Sequence, residues 1–290
     1  MKEVIEKILV STDGSPESEA AFAAIMPVVR AYAPEVAVLY VFEDPEASFM
    51  PPAKVAKACG ALRASNVNAY LELREGMPAE EILKVAREKK VDLIAITTHG
   101  RRGVVRLIAG SVAEEVLRKT DIPLLVTRPN TVVHEWKRIV VALDGSERSE
   151  SVLPEAVRLA RKLGAALEIL RVAVPVVAAG AGEAPIMLPP EDPMPYLKGV
   201  LKGLDLRGIE ARAVALEGHP SEAILRHLAE SAASLLCMTT HGRSGLARIL
   251  LGSVAEEILR KAPCPVLLQR NVAASEGAKK PAKKAVRVGQ

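Results

Sequence analysis

Along the first 130 residues, short apolar runs alternate with longer segments in which apolar residues recur at helical spacing. Apolar runs typical of strands occur at 7–12 (KILVST), 35–42 (EVAVLYVF), 67–73 (VNAYLEL), 91–97 (VDLIAIT) and 122–127 (IPLLVT). Helices are predicted from Ser15-Pro16 to about Arg30, from Pro78 and from Ser111. Strands that alternate with helices predict an α/β domain with a parallel sheet. The continuous run at 91–97 predicts a strand covered on both faces.

The same order of elements returns in the second part of the chain. Residues 97–123 and 239–265 are identical at 17 of 27 positions. Upstream, KILVSTDGS at 7–15 matches RIVVALDGS at 138–146. The order of the matching segments is preserved, so the chain is a duplicated domain.

These repeats divide the chain into two domains, 1–129 and 136–270, followed by a basic tail, 271–290, that we expect to be disordered. The tail contains five Lys and Arg residues against one Glu, and its charge of +4 equals the formal net charge of the whole chain. The remaining 270 residues are therefore neutral. This balance argues against a fold that grips a phosphate backbone, so nucleic acid is not an expected partner.

Composition narrows the class of protein. The chain is 49% hydrophobic but only 3% aromatic, so we expect a core of Val, Leu, Ile and Ala. No apolar stretch approaches the roughly 20 residues of a membrane span, and the first residues do not resemble a signal peptide. The cysteines, Cys59, Cys237 and Cys264, form no CxxC pair. We therefore expect a reduced, cytoplasmic protein with core cysteines and no membrane partner.

The pentapeptide TTHGR occurs at 97–101 and again at 239–243. After the first copy, a loop with three glycines and three arginines leads to the helix that begins at Ser111. This loop is expected at the carboxyl end of a central strand, where open α/β sheets bind ligands. Free backbone N–H groups, the helix dipole and glycines that permit close approach predict an anion site there, most naturally for phosphate.

Structural roles alone can also explain these residues. Ser111 and Ser253 each precede a Glu by three residues, which is the spacing of a capping box, and the glycines can serve a turn. His99 and His241 have no nearby Ser or Cys nucleophile with a paired carboxylate. We expect them to bond backbone groups, and we assign no catalytic residue and no metal ligand.

The combination of motifs resembles the nucleotide-binding members of the universal stress protein family. Those proteins carry Gly, two residues, Gly, nine residues, and then Gly followed by Ser or Thr. Here nine residues separate Gly100 from Gly110-Ser111, and nine separate Gly242 from Gly252-Ser253. The DGS sequence after the first strand and the GSVAEE start of a helix also match. The resemblance covers nearly the whole chain and occurs twice.

The resemblance implies a site for ATP or another adenine nucleotide, with or without Mg²⁺, in each domain. The first glycine of the pattern is a threonine here, whose hydroxyl can donate to a phosphate. The aspartate of each Asp-Gly pair would bond the adenine end, or would only form a turn. The implied binding residues are Asp13, Val41, Thr97, Gly100, Gly110 and Ser111 in the first domain and Asp144, Val172, Thr239, Gly242, Gly252 and Ser253 in the second.

The resemblance also implies two open, twisted, Rossmann-like five-stranded parallel sheets with strand order 3-2-1-4-5. Such domains pair through their last strands, here IPLLVT and CPVLLQ, and the pairing would cover both edges. The short linker between the copies suits an internal pseudo-dimer. A homodimer of whole chains stays open.

Three classes of function remain open. The leading one is a cytoplasmic stress-response protein that binds an adenine nucleotide and signals by changing its shape or its partners. The second is a slow ATPase or nucleotide transferase, although the sequence lacks GxxxxGK[ST] and clustered carboxylates suited to catalytic Mg²⁺. The third is an interaction protein of the same fold that binds no nucleotide.

Most of the extra length of the second copy lies at 178–196, AAGAGEAPIMLPPEDPMPY. This segment is rich in Gly and Pro and cannot be a continuous helix. It is either a disordered insertion or a lid that closes over the second site or docks a partner.

Overall fold

Strands and helices alternate twice in the computed structural model, which describes residues 4–43, 50–98, 111–129, 131–178, 186–188, 190–240 and 251–270. The first half contains β1 (Lys7–Ser11), α1 (Glu19–Tyr32), β2 (Glu35–Phe42), α2 (Ala53–Ala64), β3 (Ala69–Glu75), α3 (Pro78–Glu88), β4 (Leu93–Thr97), α4 (Ser111–Lys119) and β5 (Leu124–Thr127). The second half contains β6 (Arg138–Leu143), α5 (Glu147–Glu150), α6 (Leu153–Leu163), β7 (Ala166–Ala173), β8 (Val176–Ala178), β9 (Ile186–Leu188), α7 (Met194–Gly203), β10 (Ala211–Glu217), α8 (Pro220–Glu230), β11 (Leu235–Thr239), α9 (Ser253–Lys261) and β12 (Val266–Gln269).

The described strands, apart from β8 and β9, form one open sheet in the order β10-β7-β6-β11-β12-β5-β4-β1-β2-β3. Five neighbouring strands come from each half and are parallel within it. Counted along its own sequence, each half has the strand order 3-2-1-4-5. The predicted α/β class and strand order are therefore confirmed.

The two halves meet at their last strands, β5 and β12, which pair antiparallel. Leu125 lies opposite Leu267, and Val126 lies opposite Val266. These apolar side chains are buried. The strands that the resemblance pairs therefore join both halves in a single ten-stranded sheet.

Two arginines connect the halves beside this junction. Arg128, one residue after β5, donates from Nη1 to the carbonyl oxygen of Ala262, the C-cap of α9, over 3.1 Å. Arg270, one residue after β12, donates from Nη1 to the carbonyl oxygen of Arg118 in the last turn of α4, over 2.9 Å. Each cation thus meets the negative end of a helix from the other half.

Helices cover both faces of the sheet, as the central strand β4 shows. Its Leu93 and Ala95 pack in the layer formed with α1, α2, α6 and α7. Its Ile94 and Ile96 pack in the opposite layer, formed with α3, α4, α8 and α9. All of these side chains are buried, so the expectation of a strand covered on both faces is confirmed.

The structure differs from the sequence prediction in two places, the start of the first helix and helix α2. Ser15 does cap a helix that starts at Pro16, but this first piece is a 3-10 helix, Pro16–Ser18, which continues as α1. Helix α2, whose most frequent residues are Ala and Lys, has no apolar pattern strong enough to predict it from the sequence. Its buried residues, Val55, Cys59 and Leu62, nevertheless follow a helical spacing.

The three cysteines are core residues, as expected. Cys59, Cys237 and Cys264 are buried and form no disulfide. Burial raises the pKa of all three thiols, in the case of Cys264 to about 12. They are therefore thiols rather than reactive thiolates at neutral pH.

The Gly- and Pro-rich insertion of the second half begins with a hairpin. Strands β8 and β9 pair antiparallel, with Val177 opposite Met187, and α7 starts shortly afterwards at Met194. Residues 179–185 and 189 of the insertion, and the basic tail 271–290, lie outside the described residues.

Candidate functional site

The candidate site lies where the chain leaves two neighbouring parallel strands in opposite directions. Strands β1 and β4 are paired, with Val10 opposite Ala95. The chain continues from β1 to α1 on one face of the sheet and from β4 to α4 on the other. A crevice at such a switch point, outside the carboxyl ends of the strands, is where open α/β sheets bind ligands. Strands β6 and β11 repeat this arrangement in the second half.

The DGS loop after the first strand of each half is held by its own aspartate. Asp13 Oδ1 accepts from the backbone N–H of Ser15 over 2.9 Å and from its hydroxyl over 2.6 Å. Asp144 Oδ1 accepts from Ser146 over the same two distances. The serine hydroxyl in turn accepts from the backbone N–H three residues later, which starts the helix. The turn-forming role considered for both aspartates is therefore present.

Thr97 and Thr98 lie at the end of β4, directly before the glycine loop. The Thr97 hydroxyl donates to the carbonyl oxygen of Ser18 over 3.4 Å, so this side chain lies on the α1 face of the sheet. Thr98 is only 1% exposed, and its backbone N–H donates to Thr127. Side chains alternate along a strand, which places Thr98 on the face of α4. Sequence reasoning selected the first threonine, whereas the second lies on the side of the predicted phosphate site.

Thr239 and Thr240 occupy the same places at the end of β11. Both side chains are buried. The Thr240 carbonyl oxygen accepts from the backbone N–H of Gly252 over 3.4 Å. The doubled threonine in TTHGR is the sequence signal that could have identified the second position.

The start of α9 has a glycine at its N-cap. Gly252 has no side chain that could accept from the N–H groups of the first turn. Its φ of −61° and ψ of 146° are open to any residue. An alanine Cβ at this position would lie 3.6 Å from the Thr240 carbonyl oxygen, an ordinary contact. The backbone therefore does not require glycine here, which leaves room for a close approach to the helix end.

Ser253 does not form the capping box considered from the sequence. It is the first residue of α9 rather than its N-cap, and its side chain is exposed. The reason is that the helix begins at Ser253 itself, one residue earlier than a capping box with Ser253 as N-cap would need. Ser111, at the start of α4, is exposed as well, and the residue before it lies outside the described part of the chain.

Val41 and Val172 lie near the carboxyl ends of β2 and β7. Both pack in the layer of α3, α4, α8 and α9, the side from which the glycine loops return. The structure therefore brings the aspartate, valine and threonine positions of each half to one edge of the sheet. Gly100, Gly110 and Gly242, with the histidines of both TTHGR copies, lie outside the described residues.

Neither a metal site nor a membrane span is found within the same described ranges. No group of three or more His, Cys, Asp and Glu side chains there is arranged to hold a metal ion. No helix in those ranges has both the length and the apolar character needed to cross a membrane.

Comparison with known proteins identifies the same family twice in the chain. The family model described as the universal stress protein family matches residues 5–128 and 135–270. Universal stress protein MJ0531 of Methanocaldococcus jannaschii is 35% identical over 138 residues, which cover 46% of this chain and 81% of that protein. Universal stress protein Mb2028c of Mycobacterium bovis is 27% identical over 232 residues, covering 75% and 74% of the two chains.

Among solved structures, a universal stress protein from Archaeoglobus fulgidus superposes with a TM-score of 0.66. The superposition covers 93% of this chain and 98% of that chain at 21% sequence identity. At this level of identity the likeness concerns the fold, and it extends over both halves.

Proposed function

Because the chain belongs to the universal stress protein family, whose model matches both halves, we propose that each half binds one adenine nucleotide, with ATP as the leading candidate. The protein then acts in the stress response as a nucleotide-dependent regulator. The two domains, 1–129 and 136–270, each carry one site at the carboxyl edge of their strands.

The observation that carries this proposal is the start of α9. A helix start whose N-cap residue is glycine can present backbone N–H groups and the positive end of the helix dipole to an anion. Gly252 keeps this end open although its backbone conformation would accept a side chain. A phosphate explains both features together. By the repeat, Gly110 and Ser111 serve the same purpose at α4.

The remaining residues divide between adenine and phosphates. Asp13 and Asp144 fix the DGS loops and, by the resemblance, bond the adenine end next to the backbone of Val41 and Val172. The glycines and the exposed Ser111 and Ser253 receive the phosphates. Thr97 and Thr239 end the strands beneath each site, and Thr98 and Thr240, one residue later, lie on the side of the phosphates. Where Mg²⁺ accompanies the nucleotide, its ligands come from the phosphates and water.

An interaction protein that binds no nucleotide is the second candidate, and one observation favours it. The DGS loop and the Thr97 hydroxyl already have hydrogen-bond partners within the protein. These groups would therefore be explained without a ligand. A slow ATPase of the same site would differ from both in releasing product over many turnovers.

Calorimetric titration with ATP separates these candidates. We expect two nucleotides per wild-type chain, one for Gly252→Leu, and none for Gly110→Leu combined with Gly252→Leu. Gly203→Leu is the matched control, because a Cβ at this glycine of α7 meets nothing within 4 Å, and it should keep two sites. Absence of heat in the wild type, or unchanged binding in the double variant, contradicts the proposal. Product formation at many turnovers would instead identify an ATPase.

A further inference from the structure

A groove separates α1 and α2 on the outer surface of the first half. Its cavity volume is about 560 Å³, within the ~300–1,000 Å³ of small-molecule sites. The apolar side chains that line it include Phe22 and Met26 from α1 and Ala58, Ala61 and Leu62 from α2. Phe22 and Met26 are only partly buried, so the groove leaves apolar surface accessible.

The groove has a charged end and an apolar end. Both helices return from the carboxyl edge of the sheet, so their first turns lie at the same end. Glu19 of α1 and Lys54 and Lys57 of α2 line that end, whereas Met26 and Leu62 line the other. Two ammonium groups against one carboxylate give the charged end a net positive charge. Helix α2 carries no acidic residue at all.

The charged groups at this end have no partner among the described residues. Glu19, Lys54 and Lys57 are exposed and take part in none of the hydrogen bonds or ion pairs found there. Elsewhere on the surface lysines pair with neighbouring carboxylates, for example Lys119 with Glu115 over 2.6 Å. The two groove lysines are therefore available to an anionic ligand.

The second half closes the corresponding position with its own side chains. Glu150 stands where Glu19 does, and Tyr196 replaces Lys54. The Tyr196 hydroxyl donates to Glu150 Oε1 over 2.8 Å, which ties α7 to α5. Burial, and then this hydrogen bond to Glu150, raise the pKa of Tyr196, so the donor keeps its proton. Leu153 and Val157, in place of Phe22 and Met26, are 4% and 7% exposed. Among the described residues, these side chains fill the position in the second half that is open in the first.

We propose that the groove between α1 and α2 binds a small amphipathic anion, an aliphatic carboxylate whose chain lies on Phe22, Met26 and Leu62 and whose head group bonds Lys54 and Lys57. This site is separate from the nucleotide sites and does not depend on them. Apolar lining with a few polar groups at one end is the usual composition of small-molecule sites. A charge-assisted hydrogen bond from each lysine fixes the orientation of the ligand.

Calorimetric titration with decanoate, below the concentration at which it aggregates, tests this site. We expect one decanoate per chain, weaker binding of decanol, which has the same tail without a charge, and no binding of acetate. Ala58→Trp should fill the groove and abolish binding. Lys54→Gln with Lys57→Gln should lower the affinity for decanoate about tenfold, and should leave decanol unchanged.

Lys198→Gln with Lys202→Gln makes the same charge change on α7 and is the matched control, which should bind decanoate as the wild type does. Circular dichroism verifies that Ala58→Trp folds, and the exposed lysine pair keeps the test decisive if it does not. Failure of decanoate to bind, or equal binding of decanoate and decanol, overturns the proposal. Binding of an acidic amphipathic helical peptide in place of decanoate would assign the groove to a protein partner and would overturn it as well.

Discussion

The two halves share a fold, but one buried position holds a charged residue in the second half and an alanine in the first. In the second half, Glu168 of β7 is 2% exposed and contacts Arg212 of β10 over 2.6 Å and His227 of α8 over 2.8 Å. Arg138 of β6 also lies 3.3 Å from its carboxylate. The first half has Ala37, Tyr70 and Val85 at the equivalents of Glu168, Arg212 and His227. Ala37 and Val85 are buried there.

The carboxylate and two of its three cationic partners thus differ together between the halves, whereas the third, Arg138, corresponds to Lys7 in the first half. A buried carboxylate without its cations costs several kcal/mol, whereas a complete ionic cluster and a packed apolar cluster of similar volume can be close in stability. Both halves have the same strand order, and these three exchanges lie on two strands and one helix that the halves share. Either half is therefore a natural control for the other.

The largest expected effect is that of placing the carboxylate in the first half by itself. Ala37→Glu should lower the free energy of unfolding by about 3–5 kcal/mol, because Tyr70 and Val85 offer the buried charge no cation in place of Arg212 and His227. Adding Tyr70→Arg and Val85→His should restore most of this loss. Urea unfolding followed by circular dichroism measures both. A single variant as stable as the wild type, or a triple variant no better than the single one, would refute the idea that the set acts together.

An intermediate effect is expected for the two arginines that join the halves. Each donates to a carbonyl group at a helix end, but Arg270 is more exposed to solvent than Arg128. Arg128→Gln should lower the free energy of unfolding by about 1.5 kcal/mol, since a charged donor to a helix end is lost from a partly buried site. Arg270 has a side chain that is 41% exposed, and Arg270→Gln should cost only about 0.5 kcal/mol. Equal losses in the same urea assay would show that the two contacts are equivalent.

The smallest effect concerns a hydrogen bond that only the second half contains. Glu257 of α9 accepts from Lys261 over 2.7 Å and from the hydroxyl of Ser221, a residue whose equivalent in the first half is Ala79. The Lys261 hydrogen bond, followed by that of Ser221, lowers the pKa of Glu257 from 4.5 to about 2. Its contribution to stability is therefore complete above about pH 4.5 and is lost as the pH falls towards 2.

Ser221→Ala copies the first half and should raise the pKa of Glu257 while Lys261 still holds it below the ordinary value. NMR titration of the Glu257 carboxyl carbon measures this shift. Glu257→Gln should keep the fold and remove the part of the pH dependence of the unfolding free energy that Glu257 causes. An unchanged pKa in Ser221→Ala would mean that Lys261 alone determines it.

Periodicity predicted most elements because their apolar patterns are strong. The buried positions of α3, β2 and β4 are occupied by apolar residues, so their spacing is visible in the sequence. Helix α2 has only three buried residues among many alanines and lysines, so its pattern is faint. The hairpin of β8 and β9 is also beyond such reasoning, because each strand has only three residues.

The candidate site could be located but not oriented from the sequence. Which of two adjacent threonines points toward α4 depends on the pleat of β4, and a sequence does not show where a pleat starts. The capping box at Ser253 was wrong for a similar reason, since a shift of one residue changes the N-cap. The Glu168 cluster could have been predicted from the sequence, because an alignment of the two copies matches Glu168 with Ala37.

The antiparallel pairing of β5 with β12 determines where the two sites open. Since the halves run in opposite directions, the carboxyl ends of the first five strands lie along one rim of the sheet, and those of the second five lie along the opposite rim. The two proposed nucleotide sites would therefore lie on opposite rims of the sheet. The duplicated halves thus present the carboxyl ends of their strands on opposite rims of one sheet, so that substitutions at one rim need not alter the other.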